Sequence, residues 1–423
     1  MNIGHISFRL AGTDGVSLET AKLVDVLKGM GHSNFYFAGE LDPKVNNNST
    51  NYPAIEAGMC VPLAHFTHPK VKWITDHAFG TQIPHPELMS TIEELTKTLI
   101  EELYTFIQTY RLELLTVQNV FSIPINLALS KALFMVIKDT QIPVINHNHD
   151  FYWEREKYQV NCVKLLLCQY FPPHLTNISQ VVINSQAKYD LKHKGIDSEI
   201  LPNIFNFNLE PPGIDSYNAD LRKELGLSKG DIFFLQPTRV IPRKGIELAI
   251  DLVSHLTDLP IKLIITHKAE YDTYDYLSQL LSLANTKHVD LLYLPDRFHQ
   301  TRVNEKGKLK IYSLWDAYIH ADFVTYPSLY EGFGNALLET IYFKKPFLAN
   351  RYKIFQDDIE PTGIKAVLIN GEINEKVVGE VRQLLTKREL IEEYTSTNFR
   401  IGKKFFSYQT AQDCLEKIFR SFN

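Results

Sequence analysis

Apolar residues in the first half of the chain come in short runs separated by amphipathic stretches. The runs Ile3–Phe8, Asn34–Ala38, Leu112–Val117, Pro143–Asn146, Val181–Asn184 and Glu199–Leu201 have the length and composition of strands. Between them, Ser17–Met30 and Ile92–Tyr110 repeat apolar positions at helical spacing. The segment Asn206–Asn218 contains Pro211, Pro212 and Gly213, has no period and reads as a linker. A second series follows. Strands are expected at Ile232–Gln236, Ile261–Thr266, Asp290–Leu294, Phe323–Tyr326, Pro346–Ala349 and Ala366–Ile369. Helices are expected at Gly245–Leu256, Tyr276–Ala284, Leu314–His320 and Asn335–Phe343, and a last amphipathic helix at Thr410–Phe422.

Strand–helix alternation repeated twice predicts an α/β protein with two parallel sheets. The expected layout is two Rossmann-like domains, 1–205 and 219–405, joined by the linker 206–218, with 406–423 packing back on the first. Ligands of open α/β sheets sit beyond the carboxyl ends of the strands. Two such domains facing each other across a cleft would therefore place one site between them.

A chain of 423 residues suits two domains of roughly 200 residues each. Hydrophobic residues make up 44% and charged residues 22%, and the net charge of −5 is interspersed. That balance argues against a nucleic-acid binder and against a polybasic membrane anchor. Cys60, Cys162, Cys168 and Cys414 form no CxxC pair, so they are expected as buried thiols in a reducing compartment. There is no integral membrane segment of about 18 apolar residues and no signal-type start, so the expected location is cytoplasmic.

The densest chemical signal is Pro327-Ser328-Leu329-Tyr330-Glu331-Gly332-Phe333-Gly334-Asn335-Ala336-Leu337-Leu338-Glu339. A strand enters a glycine-containing loop that opens a helix. Gly332 and Gly334 allow backbone to approach a ligand, and the helix start suits a diphosphate. Glu331 lies in the loop; Glu339, about a turn into the helix, can accept two hydrogen bonds from vicinal hydroxyls. The plain alternative is a strand–loop–helix unit with two solvated glutamates. Upstream, Gln236-Pro237-Thr238-Arg239-Val240-Ile241-Pro242-Arg243-Lys244-Gly245 also joins a strand to a helix.

These two stretches resemble the Glu-x7-Glu motif and the Arg-to-Lys-Gly element of retaining GT-B glycosyltransferases, specifically glycosyltransferase family 4. The resemblance covers the second half well and the first half more loosely. It implies that Glu331 contacts the donor sugar and Glu339 the ribose. Gly332, Phe333, Gly334, Asn335 and Ala336 would be the donor-binding backbone, and Arg239 and Lys244 would bind the diphosphate. A leaving nucleoside diphosphate gains charge as the glycosidic bond breaks, so paired cations stabilise it selectively. Arg243 is expected to be solvated. Where relatives often carry Pro-Asn-Gly-Val-Asp, this chain has Pro202-Asn203-Ile204-Phe205-Asn206, and its loop 295–310 is longer and more charged than usual.

In the first half, Arg9 to Ser17 joins the first strand to the first helix; Gly12 and Gly15 match a glycine-rich loop near the donor phosphate, with Asp14 and Ser17 beside the helix start. His147-Asn148-His149-Asp150-Phe151-Tyr152-Trp153 follows a strand, and the family places a histidine here near the donor sugar, best matched by His149. Asp14, Gln118, Asn119, Ser122 and Asp150 are candidates for the acceptor side, and Ser185 for a helix cap. His149, Glu331, Arg239 and Lys244 are the expected catalytic set.

The reaction implied is transfer of a hexose, with retention, from a GDP- or UDP-hexose to a hydroxyl. The mechanism is front-face, and no cofactor or metal is required. No Asp-x-Asp motif occurs. The stretches around Thr13 to Ser17 and His149 to Trp153 are similar to a branch acting on small soluble acceptors of the glycosylglycerate type. Two competing readings stand beside this one. His147-x-His149-Asp150 has the spacing of a metal-dependent hydrolase, and the architecture also suits a non-catalytic nucleotide-sugar-binding or phosphorylase-like protein.

Overall fold

The structure, a computed structural model, describes residues 1–12, 14–42, 57–269, 273–305 and 307–422. The chain divides into two compact units, Met1–Ile204 with Tyr408–Asn423, and Phe205–Ser407.

In the first unit the chain runs β1 (Asn2–Ile6), α1 (Gly15–Gly29), β2 (Ser33–Ala38), β3 (Gly58–Cys60), α2 (Pro69–Ala78), α3 (Leu88–Tyr110), β4 (Leu114–Gln118), α4 (Leu127–Thr140), β5 (Val144–Asn148), α5 (Lys164–Tyr170), β6 (Ile178–Val182), α6 (Ser185–His193) and β7 (Ser198–Ile200). These strands form a parallel sheet in the order β3-β2-β1-β4-β5-β6-β7. Successive side chains of a strand face opposite sides, and β4 shows the consequence. Leu114 joins Leu23, Leu27, Leu415 and Ile418 on one face, while Leu115 joins Leu99, Leu103 and Leu133 on the other.

In the second unit the order is α7 (Leu221–Glu224), β8 (Ile232–Gln236), α8 (Ile246–Ser254), β9 (Ile261–Ile265), α9 (Tyr274–Thr286), β10 (Leu291–Tyr293), β11 (Phe298–His299), β12 (Tyr312–Ser313), α10 (Leu314–His320), β13 (Phe323–Tyr326), α11 (Asn335–Tyr342), β14 (Phe347–Asn350), β15 (Val367–Ile369), α12 (Glu375–Thr386) and α13 (Arg388–Phe405). Its main sheet is parallel, in the order β10-β9-β8-β13-β14-β15. The final helix, α14 (Tyr408–Ser421), lies against α1 through Ala411, Leu415 and Ile418, a stripe at helical spacing.

The cysteines depart from expectation. Cys60 and Cys168 are exposed, and Cys162 and Cys414 are half-buried. Cys60 is the last residue of β3, which lies at a sheet edge and is covered on one side only. Burial pushes the Cys414 thiol up to about 11. No helix among the described residues is long and apolar enough to cross a membrane.

Candidate functional site

In the second unit β8 and β13 are hydrogen-bonded neighbours although four strands separate them in sequence. The strand order reverses between them, the position at which open α/β sheets bind ligands beyond the carboxyl ends of their strands. Thr325 donates to Gln236 Oε1 at 2.6 Å, and Gln236 Nε2 donates to Thr238 Oγ1 at 2.8 Å, which fixes where the first loop starts. That loop tightens into a turn at Pro242–Lys244 and ends on Gly245, at φ 59°. A Cβ at Gly245 would lie 2.5 Å from the Pro327 carbonyl oxygen. The second loop is thus seated directly on the first. Leu329 N–H completes the seating, donating to the Arg243 carbonyl at 2.8 Å. Gly334, at φ 124°, precedes α11, and a Cβ there would fall 2.1 Å from the Tyr326 hydroxyl. The space a side chain would take is therefore filled by Tyr326.

Between the loops lies Glu331, 6% exposed. Lys244 Nζ binds its Oε1, and Arg243 Nη1 binds its Oε2 at 2.7 Å. Burial alone would raise the Glu331 carboxyl; the Lys244 and Arg243 charges outweigh it and hold the group below the usual range. Burial pulls the Lys244 ammonium down, and the neighbouring Glu331 only partly restores it. Arg243, expected to be solvated, instead belongs to this cluster: it also donates to the Tyr330 carbonyl at 2.9 Å. The reason is the strand order, which lays residue 243 beside residue 331.

Arg239 is exposed, and among the described residues no ion pair holds its guanidinium. Its charge is felt at Lys244 and at His267. His267 lies two residues beyond β9, whose Ile265 pairs with Gln236 of β8. Burial, followed by the Lys244 and Arg239 charges, pulls its imidazole down to about 4. Glu339, on α11, accepts from the Tyr318 hydroxyl at 3.1 Å, and the same hydroxyl reaches the Ala336 carbonyl at 3.2 Å.

In the first unit the polar residues after β4 and β5 hold one another. His149 Nε2 and Gln118 Oε1 lie 3.0 Å apart, and Asn119 Oδ1 accepts from His149 N–H at 2.8 Å. Asn119, at φ 60°, donates to Asp150 at 2.9 Å, and Asp150 pairs with Arg155. Ser122 donates to Asn148 at 2.5 Å. Burial pulls His149 down to about 4 and His147 well below its ordinary value, so both rings are neutral at pH 7. Asp14 is the N-cap of α1, accepting from Val16 and Ser17 N–H at 3.1 Å each and from the Ser17 hydroxyl at 2.7 Å, and it pairs with Arg9 at 3.0 Å. Gly15 is the first helical residue, with open space where a Cβ would point. Asn184, not Ser185, caps α6; Ser185 is its first helical residue.

The structure brings Lys244, Glu331 and the 332–336 backbone together in one unit, and Gln118, Asn119, His149 and Asp150 together in the other. Reasoning from sequence missed Arg243, Tyr326, Tyr318 and His267. The rule that singled out His149, a polar residue just past a parallel strand, would have found His267. Among the described residues no group of three or more His, Cys, Asp or Glu side chains is placed to hold a metal ion.

The sequence model of the family described as "Glycosyl transferases group 1" matches residues 218–399, from α7 into α13. Mannosylglucosylglycerate synthase of Petrotoga mobilis is 32% identical over 96% of this chain and 98% of that protein. The protein of the same name from Thermotoga maritima is 32% identical over 99% of each. Among solved structures, sucrose-phosphate synthase of Thermosynechococcus elongatus superposes with a TM-score of 0.67 at 15% identity, covering 99% of this chain and 98% of that one. HepE of Anabaena, in complex with UDP-glucose, gives 0.67 at 13% identity over the whole of both chains. The structural likenesses carry the architecture and the sequence likenesses the family: the chain belongs to the group 1 glycosyltransferases, built on the two parallel-sheet domains of the GT-B fold.

Proposed function

We propose that the enzyme transfers a mannosyl group, with retention, from GDP-mannose to a hydroxyl of glucosylglycerate, in the cytoplasm and without a metal ion. The observation that carries this reading is the end-to-end likeness to two proteins named mannosylglucosylglycerate synthase. That name describes a mannosyl unit added to a glucosylglycerate.

The residues fit the chemistry. As the bond between the anomeric carbon and the diphosphate oxygen breaks, its electron pair goes to the diphosphate. Arg239 and Lys244 meet that growing charge. An ammonium has three N–H donors, so Lys244 can hold Glu331 and a phosphate oxygen together. The amides at the start of α11, around Asn335 and Ala336, add partial positive charge. Glu339 takes the ribose hydroxyls, and Glu331 takes hydroxyls of the donor sugar. The acceptor oxygen bonds to the anomeric carbon on the face the diphosphate leaves, and its proton passes to a phosphate oxygen. His149, neutral and held by Gln118, hydrogen-bonds a sugar hydroxyl and carries no proton in the step. Asp14, Gln118, Asn119 and Asp150 lie on the acceptor side.

The test is direct. The purified enzyme is given GDP-mannose or UDP-glucose, with and without glucosylglycerate, and with and without chelator. The expected outcome is acceptor-dependent release of GDP that chelator leaves unchanged, and a product with the donor's anomeric configuration by NMR. Preference for UDP-glucose, inversion, or dependence on a divalent ion would each overturn the corresponding part.

A further inference from the structure

The sheet of the first unit carries a second concave feature. Beyond the carboxyl ends of β2 and β3 lies a cavity of about 340 Å³, lined by Gly39, Glu40, His65, Thr67 and His68 among others. It stands on the same edge of the same sheet as Gln118, Asn119 and His149, with β1 between. Its volume is at the small end of the range for small-molecule sites, about 300–1,000 Å³. We propose that this cavity is a subsite for a neutral, hydroxyl-rich ring, the sugar portion of the acceptor; the assignment of that ring to the acceptor rests on the function proposed above.

The walls are fixed. A Cβ at Gly39 would lie 2.2 Å from His65 N, so the backbone after β2 sits directly on the turn after β3. Asn126, capping α4, donates to the Leu63 and Ala64 carbonyls at 3.0 and 3.2 Å and pins that turn from the other side. On this frame the polar atoms are oriented. Thr67 N–H donates to His65 Nδ1 at 3.1 Å, so Nδ1 is the acceptor nitrogen and the proton of the neutral ring resides on Nε2. Burial lowers the His65 imidazole, which keeps the ring neutral at pH 7. Nε2 is buried and faces Glu40 Oε2 at 3.3 Å, and this carboxylate, opposing burial, draws the His65 imidazole back up. His68 Nδ1 is likewise buried, with no partner among the described residues. A donor and an acceptor set this close match two adjacent hydroxyls, one accepting from His65 and one donating to Glu40.

Charge decides between a neutral ring and an anion. Arg9 lies 5.6 Å above the ring of Phe66, beside His65, but Asp14 pairs with it at 3.0 Å. Asp42 accepts from Gly12 N–H at 3.2 Å in the same group of loops, and Glu40 adds a third carboxylate. Among the described residues, one guanidinium against three carboxylates disfavours a carboxylate ligand and leaves hydroxyls as the chemistry these groups select.

Methyl α-D-glucoside and D-glycerate serve as separate probes of the two ends of the acceptor. Glu40→Gln and His68→Ala should each raise KM for glucosylglycerate about tenfold, the worth of one hydrogen bond. KM for GDP-mannose and acceptor-independent donor hydrolysis should stay the same. Inhibition by methyl α-D-glucoside should weaken in parallel, and inhibition by glycerate should not. Unchanged acceptor KM in both folded variants, or loss of the glycerate effect in place of the glucoside effect, overturns the proposal. Saturation-transfer NMR with methyl α-D-glucoside reads the cavity without turnover. Signal in the wild type that is lost in Glu40→Gln supports the subsite even if glucosylglycerate is not the substrate. Absence of signal in the wild type, or equal signal in the variant, rejects it.

Discussion

At the residue scale, Glu331 is a buried carboxylate facing Lys244 and Arg243, and the two cations assigned to the diphosphate, Arg239 and Lys244, should respond differently to removal. Arg239 is exposed and has no ion-pair partner among the described residues, so Arg239→Ala should leave the melting temperature unchanged while costing about 2–4 kcal/mol of transition-state stabilisation, roughly 30- to 1,000-fold in kcat/KM. Lys244 is 8% exposed and neutralises Glu331. Lys244→Ala should therefore lose turnover and also destabilise the unit, by up to about 3–5 kcal/mol, because it strands a buried charge with Arg243 as its remaining partner. Paired kinetics and thermal melts check the split. A Lys244→Ala variant as stable as Arg239→Ala would contradict the buried pair. The two cationic positions were legible in the sequence from their place between a strand and a helix. Arg243's role was not, because it depends on which strands are neighbours, and residues 243 and 331 lie 88 apart in the chain.

At the scale of elements, two loops from adjacent strands carry the site, and glycines let them touch. Gly245→Ala meets a backbone carbonyl at 2.5 Å in a left-handed conformation, and that carbonyl cannot yield as a flexible side chain would. Gly226, at φ 77° with open space around it, is the control. Gly226→Ala should cost about 1–2 kcal/mol of backbone strain and leave kcat/KM alone. Gly245→Ala should cost more and depress turnover by displacing Lys244. Equal effects of the two on stability and rate would show that the contact with Pro327 is unimportant. Buried parallel strands were readable as apolar runs, hence the match at β8 and β13. Edge strand β3 is three residues long and half-exposed, and gave no run. In α13 the buried stripe is Thr395, Asn398 and Gly402, held by a two-way bond between Asn398 and the Lys365 backbone.

At the scale of the whole molecule, the two units carry different loads of buried ionisable groups. The charged loop around 295–313 is fastened within the second unit. Arg302 binds the fully buried Asp316 and also Asp215, while Lys310 binds Asp220 at 2.8 Å. Histidines set the contrast between the units. The first unit holds His5 and His149, lowered to about 4 by burial, and His147, lowered further; the second holds His267, also lowered to about 4. A histidine kept neutral by folding binds a proton in the unfolded chain near pH 6.5 and in the folded chain only at its depressed value. Its stabilisation is complete above about 6.5 and is lost as pH falls towards 4. Each such group contributes a slope of up to about 1.4 kcal/mol per pH unit. Glu331 follows the carboxylate pattern instead: its contribution is present above 4.5 and lost as pH falls through its lower folded value. With His32 and His65 in the first unit and His320 in the second lowered by burial as well, five histidines act against the first unit between pH 7 and 5 and two against the second, among the described residues. Hydrogen exchange followed by mass spectrometry at both pH values, corrected for intrinsic rates, should show protection falling in β4 and β5 before β8 and β13. Earlier loss in β8 and β13 would mean that groups other than these histidines govern the acid response.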